Sequence, residues 1–526
     1  EVCDVIFTLT SHPKALIRLQ VVRLCPRLAR ACPSVFKRKV LATALDFLIH
    51  TAATVPSARN SVIDLRPSSY LALGQLSLVM TDMDEDLPAG AITTTAFSDS
   101  YYQRLDSIFS LVQAGLARTP SSIKSATDMN ITRAALNCGA NIVKALGEHA
   151  FPYVEDLLSG MYKSGLSDDL IDSLRSVATS IPAKQRVIEH RLLEELSICL
   201  AGTSFLVGYD PPLLQYDEIR SHRQRPKSQD TETPIGLFLF PEVSLQTDKA
   251  HIKINMSNDP SAVSKLVLSL RTLGSFTDNR KLAGPGVYEA LLPFVKDVVT
   301  KYLAHPTVEV RQEAALCCCH LLLPAILADA TPEIQKDKSI ESPFSSYLTA
   351  DGVKQWFSAS RVGSAAAPVV EEVLKTLTTF VVSDPSPAMR LCVVQSLDAR
   401  YDPYLCMSHH LLPLFLLLRD EKLYVRAAAL QLLGRLCLHN PAPILPPLRR
   451  LLLELLTELR TGSEAAVRLL IVFLNSEALH RLVHPYISTI ILSLPLRGVA
   501  PRLASVSLEA LGTLAEVEQC NMFPYV

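Results

Sequence analysis

DPSPAMRLCVVQSL at Asp384–Leu397 and DEKLYVRAAALQLLGRL at Asp420–Leu436 are two copies of one pattern. Each opens on an aspartate and carries an arginine six positions later, Arg390 or Arg426, with an apolar residue, Met389 or Val425, just before it. The two arginines stand 36 residues apart. A period of this size filled by helical patterns marks an α-solenoid. In the second copy Val425, Ala428, Ala429, Leu432, Leu433 and Leu436 follow the i, i+3, i+4, i+7 spacing of one helical face.

The pattern has a physical reading. An aspartate accepts backbone N–H bonds at a helix start, and its charge suits the positive end of the helix dipole. Pro385 is tolerated in a first turn, where its missing N–H has no partner to lose. The arginine lies about two turns in, from where it reaches the aspartate of the adjacent repeat. Asp384, Arg390, Asp420 and Arg426 are therefore expected to be rungs of a structural ladder. Ala428, Ala429 and Gly434 allow close helix approach, and Leu411–Leu418 (LLPLFLLL) supplies a partner helix. Two helices and two turns fit a HEAT-type repeat of roughly 40 residues.

The spacing recurs outward from this core. Arg18 stands six positions after His12, with Pro13 in the proline position; Arg311 stands six after His305, and Arg175 six after Asp169. Arg18 and Arg311 join the expected ladder. Amphipathic helical patterns fill residues 12–201 and 261–517. Between them the texture becomes polar and proline-bearing, with SHRQRPKSQDTETP at its centre. The expected organisation is an N-terminal run of repeats over 1–201, a polar, largely disordered insertion over 202–260, and a C-terminal run over 261–526. Shorter loops are expected at Asp82–Asp99 and Ala330–Ser346. The fold class is all-α.

Composition narrows the function. Of 526 residues, 48% are hydrophobic and only 6% aromatic, which favours helix packing over sheets. The formal net charge is −1, so no global field invites nucleic acid or an anionic membrane. The stretch Ala314–Ala328 is broken by His320 and Pro324 and falls short of the ~20 residues of a membrane span. Twelve cysteines carry no paired metal spacing and no CxxC, so they read as reduced, mostly buried thiols of a cytosolic or nuclear chain. The start at Glu1 instead of methionine reads as an internal piece of something larger.

No catalytic or cofactor motif occurs: no phosphate loop, no dinucleotide fingerprint, no kinase triplets, no GxSxG or HExxH. No catalytic, cofactor-binding or metal residue is therefore assigned. His409 and His410, adjacent to one another near Cys406, are expected in a turn without a metal. Asp402 before Pro403 reads as a cap or turn residue. Arg220, His222, Arg223, Arg225 and Lys227 read as a solvated linker, and Trp356, the single tryptophan, as a packing residue at a loop–helix junction.

Longer words carry a resemblance. GLSDDLIDSLRSVATSIP (Gly165–Pro182), SKLVLSLRTLGSF (Ser264–Phe276), SDPSPAMRLCVVQSLDARYDPYL (Ser383–Leu405), LRRLLLELLTELR (Leu448–Arg460) and LEALGTLAEV (Leu508–Val517) resemble, in this order, the N-terminal HEAT region of the target of rapamycin (TOR) kinases. The resemblance implies a serine/threonine protein kinase as parent, with its catalytic, rapamycin-binding and FAT regions lying C-terminal to this part. It implies that the chain is no enzyme itself. It would be a scaffold docking Raptor-type subunits in complex 1 or the corresponding subunits of complex 2, and supporting a dimer of the full-length parent. No cofactor, nucleic acid or membrane insertion is implied. The place would be cytoplasmic, or a lysosomal or vacuolar surface reached through partners. A transport receptor or phosphatase scaffold built of the same repeats is the alternative; the long insertions weigh against it.

Overall fold

A computed structural model describes residues 2–54, 63–82, 99–117, 126–202, 254–276, 285–334, 367–496 and 499–518. Most of the expected polar insertion, with its basic cluster, most of the loop after Asp82, and Trp356 lie outside the described residues. The described residues are helical, without strands. The chain divides into two compact units, Glu1–Leu193 and Glu194–Val526.

The first unit contains α1 (Ala15–Ala31), α2 (Leu41–Ala53), α3 (Arg66–Asp82), α4 (Leu105–Leu116), α5 (Ala126–Leu146), α6 (Phe151–Lys163) and α7 (Asp168–Ser180). Helices α1, α3, α5 and α7 contact each other in succession and form one row. Helices α2, α4 and α6 form the second row, packed against the first. The core lies between the rows. Helix α5 shows why: Ile131, Ala134, Ala135, Cys138, Ile142 and Val143 are buried at helical spacing. The rows approach closely where side chains are absent. A Cβ on Gly74 of α3 would stand 3.0 Å from the Cys138 Cα of α5.

Division of the chain falls within α8 (Gln185–Ala201). The second unit continues with α9 (Pro260–Ser275), α10 (Pro285–Asp297), α11 (Val308–Ile334), α12 (Ala367–Ser383), α13 (Pro387–Ser396), α14 (Ser408–Leu417), α15 (Leu423–Leu436), α16 (Pro441–Arg460), α17 (Glu464–Leu474), α18 (Ile487–Ser493) and α19 (Pro501–Glu518). The same two rows recur, α9–α11–α13–α15–α17–α19 and α10–α12–α14–α16–α18. This is the α-solenoid arrangement within each unit: each hairpin touches only its neighbours along a continuous apolar layer.

Buried tyrosines add ties between helices that the apolar pattern does not announce. The Tyr70 hydroxyl donates to the Leu111 carbonyl at 2.9 Å and Tyr162 to Ile188 at 2.7 Å in the first unit. Tyr302 donates to Leu200 at 2.6 Å, and Tyr401 to Cys319, in the second. A buried phenol needs such a partner, since a lost hydrogen bond there is not returned by water.

Three local expectations are corrected. Helix α11 runs to Ile334, so 330–334 is helical where a loop was expected; the helix-forming run Ile326–Ala330 carries it past Ala330. His409 and His410 sit in the first turn of α14, because that helix starts one turn before its apolar run. Asp384 is not itself the helix cap. Ser386 caps α13, Pro387 takes the first turn, and Pro385 lies in the preceding turn.

Gly74→Val forces a branched side chain into the α3–α5 contact. It is expected to cost about 2 kcal/mol, in the range of core overpacking, read as a lowered urea midpoint with an unchanged slope.

Candidate functional site: an arginine ladder and an exposed leucine ridge

The turns entering α11 and α13 of the second unit are built from one module. In the turn before α11, the His305 Nδ1 accepts the Thr307 N–H at 3.1 Å. The Arg311 Nη1 then donates to the His305 and Pro306 carbonyls, both at 2.9 Å. In the turn before α13, the Asp384 Oδ1 accepts the Ser386 N–H at 2.7 Å, and the Arg390 Nη1 donates to the Asp384 carbonyl at 2.8 Å. Aspartate and histidine are interchangeable here because the turn asks only for a short side-chain acceptor two residues ahead of an N–H. Thus His305 takes the aspartate's place.

The other edge of each guanidinium reaches forward. The Arg311 Nε and Nη2 donate to the two Asp384 carboxylate oxygens at 2.8 and 3.2 Å. The Arg390 Nε and Nη2 donate to Asp420 at 2.6 and 3.0 Å. These are two-pronged pairs, the geometry for which arginine is suited and lysine is not. All four side chains are at most 9% exposed. Hydrogen bonding to Asp420 pushes the Arg390 pKa further up, so its charge is permanent.

Two expected rungs are not brought together. Arg426 makes no cross-repeat bond, and its Nε is buried without a partner. The next turn is Thr461-Gly462-Ser463, which offers no carboxylate. Gly462 holds φ +76°, and the Thr461 hydroxyl turns back to the Glu458 carbonyl. Arg18 in the first unit donates only backward, to the His12 and Pro13 carbonyls. The forward acid, Asp64, is gripped by its own Arg66. Asp169 and Arg175 share the spacing but not the module. Helix α7 starts at Asp168, so Asp169 lies inside its first turn and accepts from Arg133, while Arg175 faces Asp172.

A second tie had no such signal in the sequence. Asp402, 1% exposed, accepts the Arg435 Nε at 3.0 and 2.8 Å. Arg435 also donates to the Leu397 carbonyl, and the Asn440 amide to the Cys406 carbonyl. Burial pushes the Asp402 carboxyl up, against the pull of Arg435. An Asp-Pro turn followed by an arginine near the end of α15 is the only trace of it.

Several chemistry-bearing groups elsewhere are closed in. Burial raises the thiols of Cys25, Cys138 and Cys319 to about 12, which removes the thiolate needed for reactivity. Among the described residues no group of three or more His, Cys, Asp or Glu could hold a metal, and no helix is long and apolar enough to cross a membrane. His409 faces Glu371 at 3.2 Å. His410 is fully buried beside Thr378, and burial lowers its pKa to about 4.

Some large apolar residues do face solvent. Leu412 and Leu416 on α14 are 66% and 54% exposed, Leu453 on α16 is 43% exposed and Leu492 on α18 is 87% exposed. These are successive helices of one row, braced by Arg419–Glu454 and Arg449–Tyr486. Exposed leucines thus recur on three successive helices of that row, and exposed apolar patches are a mark of protein contact sites.

No family model matches the chain. Curated relatives do. It is 26% identical to the serine/threonine-protein kinase TOR of Arabidopsis thaliana over 93% of its length, 24% identical to tor1 of Schizosaccharomyces pombe over 99%, and 24% identical to TOR2 of Saccharomyces cerevisiae over 97%. It spans only 16%, 18% and 18% of those proteins. Among solved structures, Kap121p bound to Pho4p is 14% identical (100% of this chain, 55% of that one, TM-score 0.39), and importin beta in an ammonium sulfate condition is 12% identical (100% and 64%, TM-score 0.39). The chain is thus similar along nearly its whole length to one helical segment of the TOR kinases.

Two outcomes test the site. Asp420→Ala removes both bidentate bonds of the buried Arg390, leaving only the long 3.6 Å pair with exposed Glu421, and is expected to cost about 3 kcal/mol. Arg426→Ala removes no pair and is expected to cost under about 1 kcal/mol; equal losses in urea titrations would refute the ladder. His410 ionises near pH 6.5 when unfolded and near 4 when folded. Its contribution is therefore complete above pH 6.5 and is lost as the pH falls towards 4. Stability should drop by about 1 kcal/mol from pH 7 to 5.5 on this account, and His410→Gln should flatten that slope.

Proposed function

We propose that this chain is a non-catalytic scaffold segment of a TOR-type kinase, docking Raptor-type regulatory subunits and supporting assembly and dimerisation of the full-length parent. The leucine ridge on α14, α16 and α18 is the observation that carries the reading. Stacked hairpins bury one apolar layer and leave the outer helices as a long surface, which suits binding spread over several repeats. A scaffold role also suits the lack of a phosphate loop or kinase triplet in the sequence and the closed thiols. Phosphoryl transfer belongs to regions of the relatives outside the matched segment.

Within this reading, residues 202–260 are a polar insertion between two runs of repeats, and the cross-repeat arginines are structural. The place of action is the cytoplasm, at a lysosomal or vacuolar surface when partners bring it there.

Gel filtration of the chain with the Raptor-type subunit from the same source tests the proposal. Co-migration is expected, and Leu412→Glu with Leu416→Glu should abolish it without lowering the melting temperature. Separate elution of the unaltered chain, or co-migration indifferent to these changes, would reject the ridge as the docking face.

A further inference from the structure

The arginine of the repeat module works with two edges. One edge, through Nη1, is fixed on the carbonyls of its own turn. The other edge, Nε with Nη2, receives a carboxylate, as Arg311 receives Asp384 and Arg390 receives Asp420. Arg18 has the first edge in place: its Nη1 donates to His12 at 2.9 Å and Pro13 at 3.4 Å, and the His12 Nδ1 accepts the Lys14 N–H at 3.1 Å as in the other turns. Its second edge has no hydrogen-bond or ion-pair partner. Asp64, which stands forward of it, is engaged by Arg66 through Nε and Nη2 at 3.0 and 2.7 Å.

Between these groups lies a cavity of about 290 Å³ in the first unit. Arg18, Phe47, His50, Thr51, Thr54 and Asp64 are among its lining residues. The cavity is near the lower limit of small-molecule sites. The hydroxyl protons of Thr51 and Thr54 are given to the Phe47 and His50 carbonyls of α2, so these groups present lone pairs to the interior. Positive charge comes from Arg18, the lining carboxylate of Asp64 being held by Arg66, while Phe47, Ile63 and Leu65 supply apolar wall.

We propose that this cavity binds a small organic carboxylate, whose carboxyl group is held on the Nε–Nη2 edge of Arg18 as the aspartates are held on Arg311 and Arg390. Fixing Nη1 in advance removes much of the ordering cost that a free surface arginine would carry. The planar two-donor fork favours a carboxylate over a spherical anion. The apolar wall and inward-facing lone pairs favour a ligand with a short carbon chain and a donor of its own at the far end. Arg426 lacks the carbonyl anchor, and its Nε is sealed by protein, so the inference stops at Arg18.

Succinate is the probe, with succinamide as the uncharged control, followed on the full chain by saturation-transfer NMR and thermal shift. Saturable succinate binding is expected in the millimolar range or tighter, about tenfold weaker in Arg18→Gln. Thr54→Phe, which fills the cavity and keeps Arg18, should weaken it equally. Arg426→Gln should not change it. Circular dichroism checks that each variant is folded. The proposal is overturned if the unaltered chain shows no saturable binding up to about 50 mM, if succinamide binds as well, or if Thr54→Phe and Arg18→Gln both bind as the unaltered chain does. Inorganic phosphate displacing succinate at a lower concentration than succinate itself requires would overturn the carboxylate assignment.

Discussion

A guanidinium left charged and unpaired inside a protein is costly. In the second unit that constraint is turned into register. Arg311 and Arg390 are each locked to a carbonyl of their own turn and to a carboxylate of the next, so one side chain fixes both the start of its helix and the position of the following hairpin. An apolar layer between helices is non-directional and would tolerate sliding. The two-pronged pair does not, because both of its bonds are lost together when the repeats shift. This is the specificity that buried ion pairs supply where their net stabilisation is small.

Other polar ties work at different depths. Asp402 with Arg435 joins the opposite ends of the same helices, and buried tyrosine hydroxyls reach carbonyls far away in sequence. Close approach of Gly74 to Cys138, and of Gly434 to Ser476, sets the spacing within the inner rows. Many of the titratable and nucleophilic groups of the described interior are held in such contacts. Thiols pushed up by burial and a histidine held neutral are elements of packing.

Function therefore has to be argued from surfaces, since a solenoid fold is shared by proteins with unrelated tasks. The outer row offers leucines on three neighbouring helices. Similarity to TOR kinases of a plant and two yeasts runs through nearly the whole chain but through less than a fifth of each relative. The energetics of such a stack are sums over repeats and their interfaces.

The sequence by itself determined the class of fold and the repeat unit, because helical periodicity and the Asp-x5-Arg spacing are local signals that need no partner to be read. It also marked Arg311, Asp384, Arg390 and Asp420, whose bonding follows from that spacing once hairpins stack. Tertiary structure alone decided which arginines find an acid. Arg18 and Arg426 carry the same local word, yet one has its acid diverted to Arg66 and the other meets Gly462 and Thr461. Asp402, too, became visible as a tie only when Arg435 was brought to it. The physical reason is that a cross-repeat bond has two halves, and the second half lies 30 to 73 residues away in the chain at a place that only packing selects.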